Sequence, residues 1–128
     1  MLNAMAVMIG GGIGAGLRYG LFLFVQRVSG VAFPFGTLVV NLLGSFFIGY
    51  LWSLFEGAHF VHEWRLFVFT GLLGGFTTFS TFTREAVQLF QTGEWKAAVT
   101  YILLSNIFGV MFVLVGFFSY KLFPVIAR

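Results

Sequence analysis

Apolar residues fall into four long blocks, separated by short stretches where polar and charged residues collect. A helix crossing the hydrocarbon core needs about 20 mostly apolar residues, and each block is long enough. The first runs from Leu2 to Val25 and is interrupted only by Arg18. The second lies inside the charge-free run Val28 to Phe55, with Pro34 suited to its start. The third runs from Trp64 to Phe90, is charge-free from Leu66 to Thr83, and then meets Arg84 and Glu85. The fourth runs from Ala97 to Tyr120 and is closed by Lys121 and Pro124. The connections Arg27–Phe33, Glu56–Glu63 and Gln91–Trp95 leave no room for a linker or second domain. The pattern predicts a single all-α integral membrane domain over residues 1–128, with four transmembrane helices. The Leu2–Val25 block lacks a charged leader beyond the terminal amine, so it reads as a retained helix, not a cleaved signal.

Composition narrows the function classes. Of 128 residues, 59% are hydrophobic and 9% are charged, against about 25% charged in a typical soluble domain. A small sphere cannot hide that much apolar surface, and disorder needs the opposite balance. There is no cysteine, hence no disulfide or thiolate chemistry. Two histidines and four acidic residues are a thin inventory for an enzyme. The seven basic residues are scattered singly and make no nucleic-acid face. With four spans both termini share one side, which collects Arg65, Lys121 and Arg128, while Arg27 and Lys96 lie on the other. Loop Lys and Arg set orientation, and this bias is weak. Single orientation and dual topology, in which oppositely inserted copies pair, both remain open.

Small residues at four-residue spacing let helices approach in lipid. Gly10/Gly14, Gly12/Gly16, Gly16/Gly20 and Ser45/Gly49 have that spacing. Gly10-x-Gly12-x-x-Ala15 also resembles a dinucleotide fingerprint, but no strand precedes it and no acid follows at the required distance. Trp52, Trp64 and Trp95 stand near span ends and read as interfacial anchors. His59 and His62 lie in a loop with Glu56 and Glu63, where nothing fixes a metal geometry.

Polar residues inside spans are costly and therefore informative. Thr37, Asn41 and Ser45 form one stripe on the second span, and Tyr101 and Ser105 share a face of the fourth, with Asn106 beside it. The third span reads Gly71-Leu-Leu-Gly74-Gly75-Phe76-Thr77-Thr78-Phe79-Ser80-Thr81-Phe82-Thr83. Paired glycines and β-branched threonines are poor helix material, so a break is expected at the span centre. Such breaks persist only where the freed backbone is satisfied. Their carbonyls can hold cations, and half-helix N-termini attract anions. Phe76, Phe79 and Phe82 are expected to share one aromatic face, whose positive ring edges can meet a small anion. Thr78, Ser80, Thr81 and Thr83 add hydroxyl donors. Arg18 has no acidic partner at equal depth, Glu85 being the nearest candidate. A buried cation among neutral donors favours an anion path.

The runs Gly14-Ala15-Gly16-Leu17-Arg18-Tyr19, Gly36-Thr37-Leu38-Val39-Val40-Asn41-Leu42-Leu43-Gly44 and Gly74-Gly75-Phe76-Thr77-Thr78-Phe79-Ser80-Thr81-Phe82 resemble the Fluc (CrcB) fluoride channels, and the likeness covers all four spans. The resemblance implies an antiparallel, dual-topology homodimer with two pores, exporting fluoride passively across the bacterial inner membrane. It implies that Phe79 and Phe82 line the ion path, with Asn41 as donor amide. Ser105 and Tyr101 match the polar residues of the fourth span, and Ser80 and Thr81 match a hydroxyl track. Arg18 matches a vestibule arginine. Gly74 and Thr77 match the positions whose carbonyls, from both subunits, hold a structural Na+ on the dimer axis. Gly109 departs from the family, which can carry a second serine there. A rival of similar size is a small multidrug transporter of cationic compounds. That class uses a first-span glutamate, whereas this first span carries Arg18 and no acid. A non-transporting assembly subunit would explain the glycines but not the polar stripes.

Overall fold

The computed structural model describes residues 1–123; Pro124 and Arg128 lie outside the described residues. Helix α1, Leu2–Ser29, ends where Gly30 turns left-handed (φ 60°) and returns its N–H to the Gln26 carbonyl at 3.2 Å. It outruns the expected Val25 by a turn, and Arg27 sits in that last turn, where a cation suits the negative end of the helix. Helix α2, Phe35–Glu56, starts directly after Pro34. Its Gly36 N–H is met by the Gln26 side-chain oxygen at 3.1 Å, which ties the first turn of α2 to the last of α1.

The third span is assembled from pieces. They are α3 (His62–Arg65), a π-helical stretch (Leu66–Leu73), α4 (Gly74–Phe76) and α5 (Phe79–Gln91). Between α4 and α5, Thr77 (φ −87°, ψ 156°) and Thr78 (φ −147°, ψ 116°) are extended. Helix α6, Trp95–Leu122, closes the chain. Among the described residues, four segments are long and apolar enough to span a membrane.

Helical geometry stops at Phe76 and resumes at Phe79, and the glycines do not make that break. Gly74 and Gly75 are helical. Gly75 instead lets α1 come close, since a Cβ there would lie 2.5 Å from the Gly11 carbonyl oxygen. The threonines carry the break. Both the N–H and the hydroxyl of Thr77 reach the Leu73 carbonyl, each at 2.9 Å, so Thr77 closes the last turn of α4 before its own ψ of 156° takes the chain out of the helix. The Thr78 hydroxyl accepts the Thr81 N–H at 3.3 Å and so caps α5. The break also divides the expected aromatic face. Phe76 lines an apolar groove with Leu17, Leu43, Phe47 and Leu72, whereas Phe79 and Phe82 stand beyond the break, their rings 5.7 Å apart.

Two glycine seams set the helix packing. Gly10 and Gly14 of α1 meet the backbone of the π-helical stretch, and Gly49 of α2 and Gly116 of α6 meet each other's helices. Backbone contact replaces side-chain packing at these crossings. A small core of Leu38, Phe82, Ala86 and Tyr101 ties α2, α5 and α6 together. A methyl at Gly14 would run into the Leu72 carbonyl and one at Gly49 into the Val113 carbonyl, whereas Gly12 faces open space. Gly14→Ala and Gly49→Ala are therefore each expected to destabilise the fold by about 1–3 kcal/mol, as overpacking does. Gly12→Ala leaves stability level or gains up to about 1 kcal/mol of helix propensity. Unfolding in detergent, followed by circular dichroism, checks this.

Candidate functional site

The break is bridged by one side chain. The Asn41 amide donates to the Thr78 carbonyl at 3.0 Å, and its oxygen accepts the Thr78 N–H at 2.8 Å. Asn41 thus pairs with Thr78 much as a neighbouring β-strand would, with both backbone groups of one residue answered at once. One amide hydrogen of Asn41 is left over, because the NH2 group carries two.

On either side of this clamp the ladder is open. Among the described residues, no hydrogen bond reaches the carbonyls of Gly74 or Thr77, and none is made by the N–H groups of Phe79 or Ser80. The C-terminal end of α4 therefore presents negative carbonyl dipoles, and the N-terminus of α5 presents positive N–H dipoles, a few residues apart. Gly74 and Phe79 are exposed, Phe79 at 74%.

A cavity of about 320 Å³ opens beside the break, lined among others by Asn41, Ser45, Thr77, Phe79, Phe82 and Ser105. Gly74, Thr78 and Asn106 also reach it. Its polar groups are hydroxyls, amides and main chain, with no carboxylate or ammonium among the lining residues. The Ser105 hydroxyl oxygen is buried and has no hydrogen-bond partner. An orphaned hydroxyl normally needs a water or ligand. Phe82 is held between the Phe79 ring and the Tyr101 ring, the latter at 5.1 Å.

The expected site residues divide among neighbouring sites. Asn41, Phe79, Phe82, Ser105, Gly74 and Thr77 share the cavity. Arg18, Thr37 and Thr81 line a second cleft of about 260 Å³ together with Arg84. Ser80 lies with Thr83, Arg84 and Gln88 on the outward polar face of α5, so Ser80 and Thr81 do not form one track in the single chain. Tyr101 is fully buried and serves a different partner. Its hydroxyl donates to Glu85 Oε2 at 2.9 Å, while the Thr37 hydroxyl donates to Glu85 Oε1 at 2.8 Å.

That triad corrects the reading of Arg18. Glu85 meets its buried oxygens with two neutral hydroxyls, so it is not the counter-ion of Arg18. Arg18 is half-buried and shares its cleft with another cation, Arg84. Glu85 is the structurally central residue that sequence reasoning passed over. A signal was present, because Glu85 follows the longest charge-free part of the third span and sits where an amphipathic α5 turns inward. Tyr101→Phe removes one donor and leaves a carboxylate oxygen buried without a partner. It is expected to cost about 1–3 kcal/mol, with Thr37→Val similar, both measurable by thermal unfolding in detergent.

Comparison with known proteins points one way. A family model described as "CrcB-like protein, Camphor Resistance (CrcB)" matches residues 5–117. A protein of Desulfotalea psychrophila is 50% identical over 118 residues, covering 92% of this chain and 91% of its own length. One of Parabacteroides distasonis is 47% identical over 116 residues, covering 91% of each. A Shewanella frigidimarina protein is 45% identical over 116 residues, covering 91% of this chain and 94% of its own length. All three carry the name fluoride-specific ion channel FluC.

Proposed function

The chain belongs to the CrcB family, and on that premise we propose that it conducts fluoride passively as a pair of oppositely inserted copies with one pore along each. It is a multi-pass protein of the bacterial inner membrane, in a family of ion channels, not enzymes.

The observation that carries this reading is the cavity at the break. Fluoride is small and tightly hydrated, so a pore must replace its water with other donors. Asn41 keeps one amide hydrogen, Ser105 has a buried hydroxyl without a partner, and the Phe79 and Phe82 rings offer positive edges. These donors are neutral and separate, which suits an ion that must leave as readily as it enters. Arg18 at the neighbouring cleft raises the local anion concentration without binding any one ion deeply.

Two features support the paired arrangement. Phe79 borders the cavity yet is largely exposed in the single chain, as expected if a second copy covers it. An isologous pair would repeat the site twice. At mid-membrane depth the free carbonyls of Gly74 and Thr77 need a partner. Hard oxygen donors of this kind suit an alkali cation, and Gly74 is open to a second copy whose own carbonyls could complete the shell. A sodium ion there would supply fixed positive charge between the copies. The chain's own part is to hold those oxygens out of the helical ladder. The multidrug reading lacks its chemistry, because α1 carries no acid.

Fluoride-electrode efflux from liposomes tests the proposal. The wild-type protein is expected to release fluoride and retain chloride. Phe82→Ile is expected to abolish release while the protein still elutes as a dimer. Near-normal release from Phe82→Ile removes the ring pair from the path, and absence of release from wild type overturns the function.

A further inference from the structure

We infer that Asn41 is the positioning residue of the cation site, in addition to lining the anion cavity. By clamping Thr78 it keeps the Gly74 carbonyl out of the helix ladder and available to an alkali cation. The inference rests on the cation reading just given and concerns what creates the site.

In an uninterrupted α-helix the Gly74 carbonyl would accept the N–H of Thr78, four residues on. That N–H instead donates to Asn41 at 2.8 Å. The Thr78 carbonyl is also taken by Asn41, at 3.0 Å, so the residue is gripped at both ends. Two hydrogen bonds to one rigid amide fix the Thr78 peptide groups and hold its φ and ψ at −147° and 116°. Helical closure would need Thr77 and Thr78 to rotate into the α region and break both bonds together. The same logic repeats one turn on. The helical donor for the Thr77 carbonyl is the Thr81 N–H, and the Thr78 hydroxyl diverts it at 3.3 Å. Each candidate cation ligand is thus free because a side chain has captured its donor. Asn41 belongs to α2 and lines the cavity, so one amide serves both ions. Its oxygen makes the cation site, and its spare hydrogen serves the anion path.

The test compares Asn41→Leu, which can neither accept nor donate, with Asn41→Asp, which can still accept the Thr78 N–H. One readout is the carbonyl-carbon resonance of Gly74 in labelled protein without sodium. The other is the sodium concentration that half-saturates thermal stabilisation, with N-methyl-glucamine as the control cation. In Asn41→Leu the Gly74 resonance is expected to move to its helical, hydrogen-bonded position. The half-saturating sodium concentration should rise about tenfold, the equivalent of one lost hydrogen bond. Asn41→Asp is expected to keep the wild-type Gly74 resonance although its added negative charge stops fluoride flux. An unmoved Gly74 resonance and an unchanged sodium response in Asn41→Leu overturn the positioning role and leave the cation reading standing. Should Asn41→Leu fail to fold, the smaller Asn41→Ala, which also neither accepts nor donates, takes its place with the same expected shift and the same overturning result. A wild-type protein whose stability ignores sodium overturns the cation reading and this inference with it.

Discussion

The amide of Asn41 and the backbone of Thr78 hold each other through two hydrogen bonds, and these answer both backbone groups of the residue at which the third span is open. In a bilayer an unpaired peptide group costs several kcal/mol, so an interrupted helix tends to close unless something else answers its backbone. Asn41 answers the one residue that sets the direction of α5. The stop of α4, the fresh start of α5 and the cavity all meet at that clamp. The threonines contribute locally, Thr77 by folding its hydroxyl back on Leu73 and Thr78 by capping α5. Neither explains why the extended conformation is held from outside the third span.

An open ladder is polar in two senses. Carbonyls at the end of α4 face one way in charge and N–H groups at the start of α5 the other. Ions of both signs therefore suit neighbouring positions. The surrounding side chains are neutral at the cavity, and the two arginines stand apart in an adjoining cleft. Glu85, the one buried carboxylate among the described residues, is bound by Thr37 and Tyr101, which ties α2, α5 and α6 into the wall that supports Phe82. Backbone-to-backbone seams at Gly14, Gly49 and Gly116 give the bundle the rigidity such a site needs.

Much of this was legible beforehand. Four apolar blocks gave four spans, because length and hydropathy are all that a bilayer asks of a helix. The stripe Thr37, Asn41, Ser45 was visible as a polar face, and the break was visible as a run of poor helix formers. What misled was the identity of the breaker. Glycine has low helix propensity, but Gly75 is used for its missing Cβ against α1, and the chain stays helical through it. Phe76 was grouped with Phe79 and Phe82 by a periodicity that the break resets. The partner of Glu85 was hidden because Thr37 and Tyr101 lie 48 and 16 residues away, and nothing local records a contact of that range. The same long-range contacts take up both oxygens of Glu85, the nearest acidic candidate for Arg18.

Residue-resolved amide hydrogen exchange on the reconstituted protein tests most directly whether the third span is open at Thr77–Thr78. The account predicts that the amides of Phe79 and Ser80, without partners and beside the cavity, exchange far faster than those in the middle of α6. The Thr78 amide, bound to Asn41, should be slower than either. Uniformly slow exchange from Leu66 to Gln91 would mean an unbroken helix and would contradict the account.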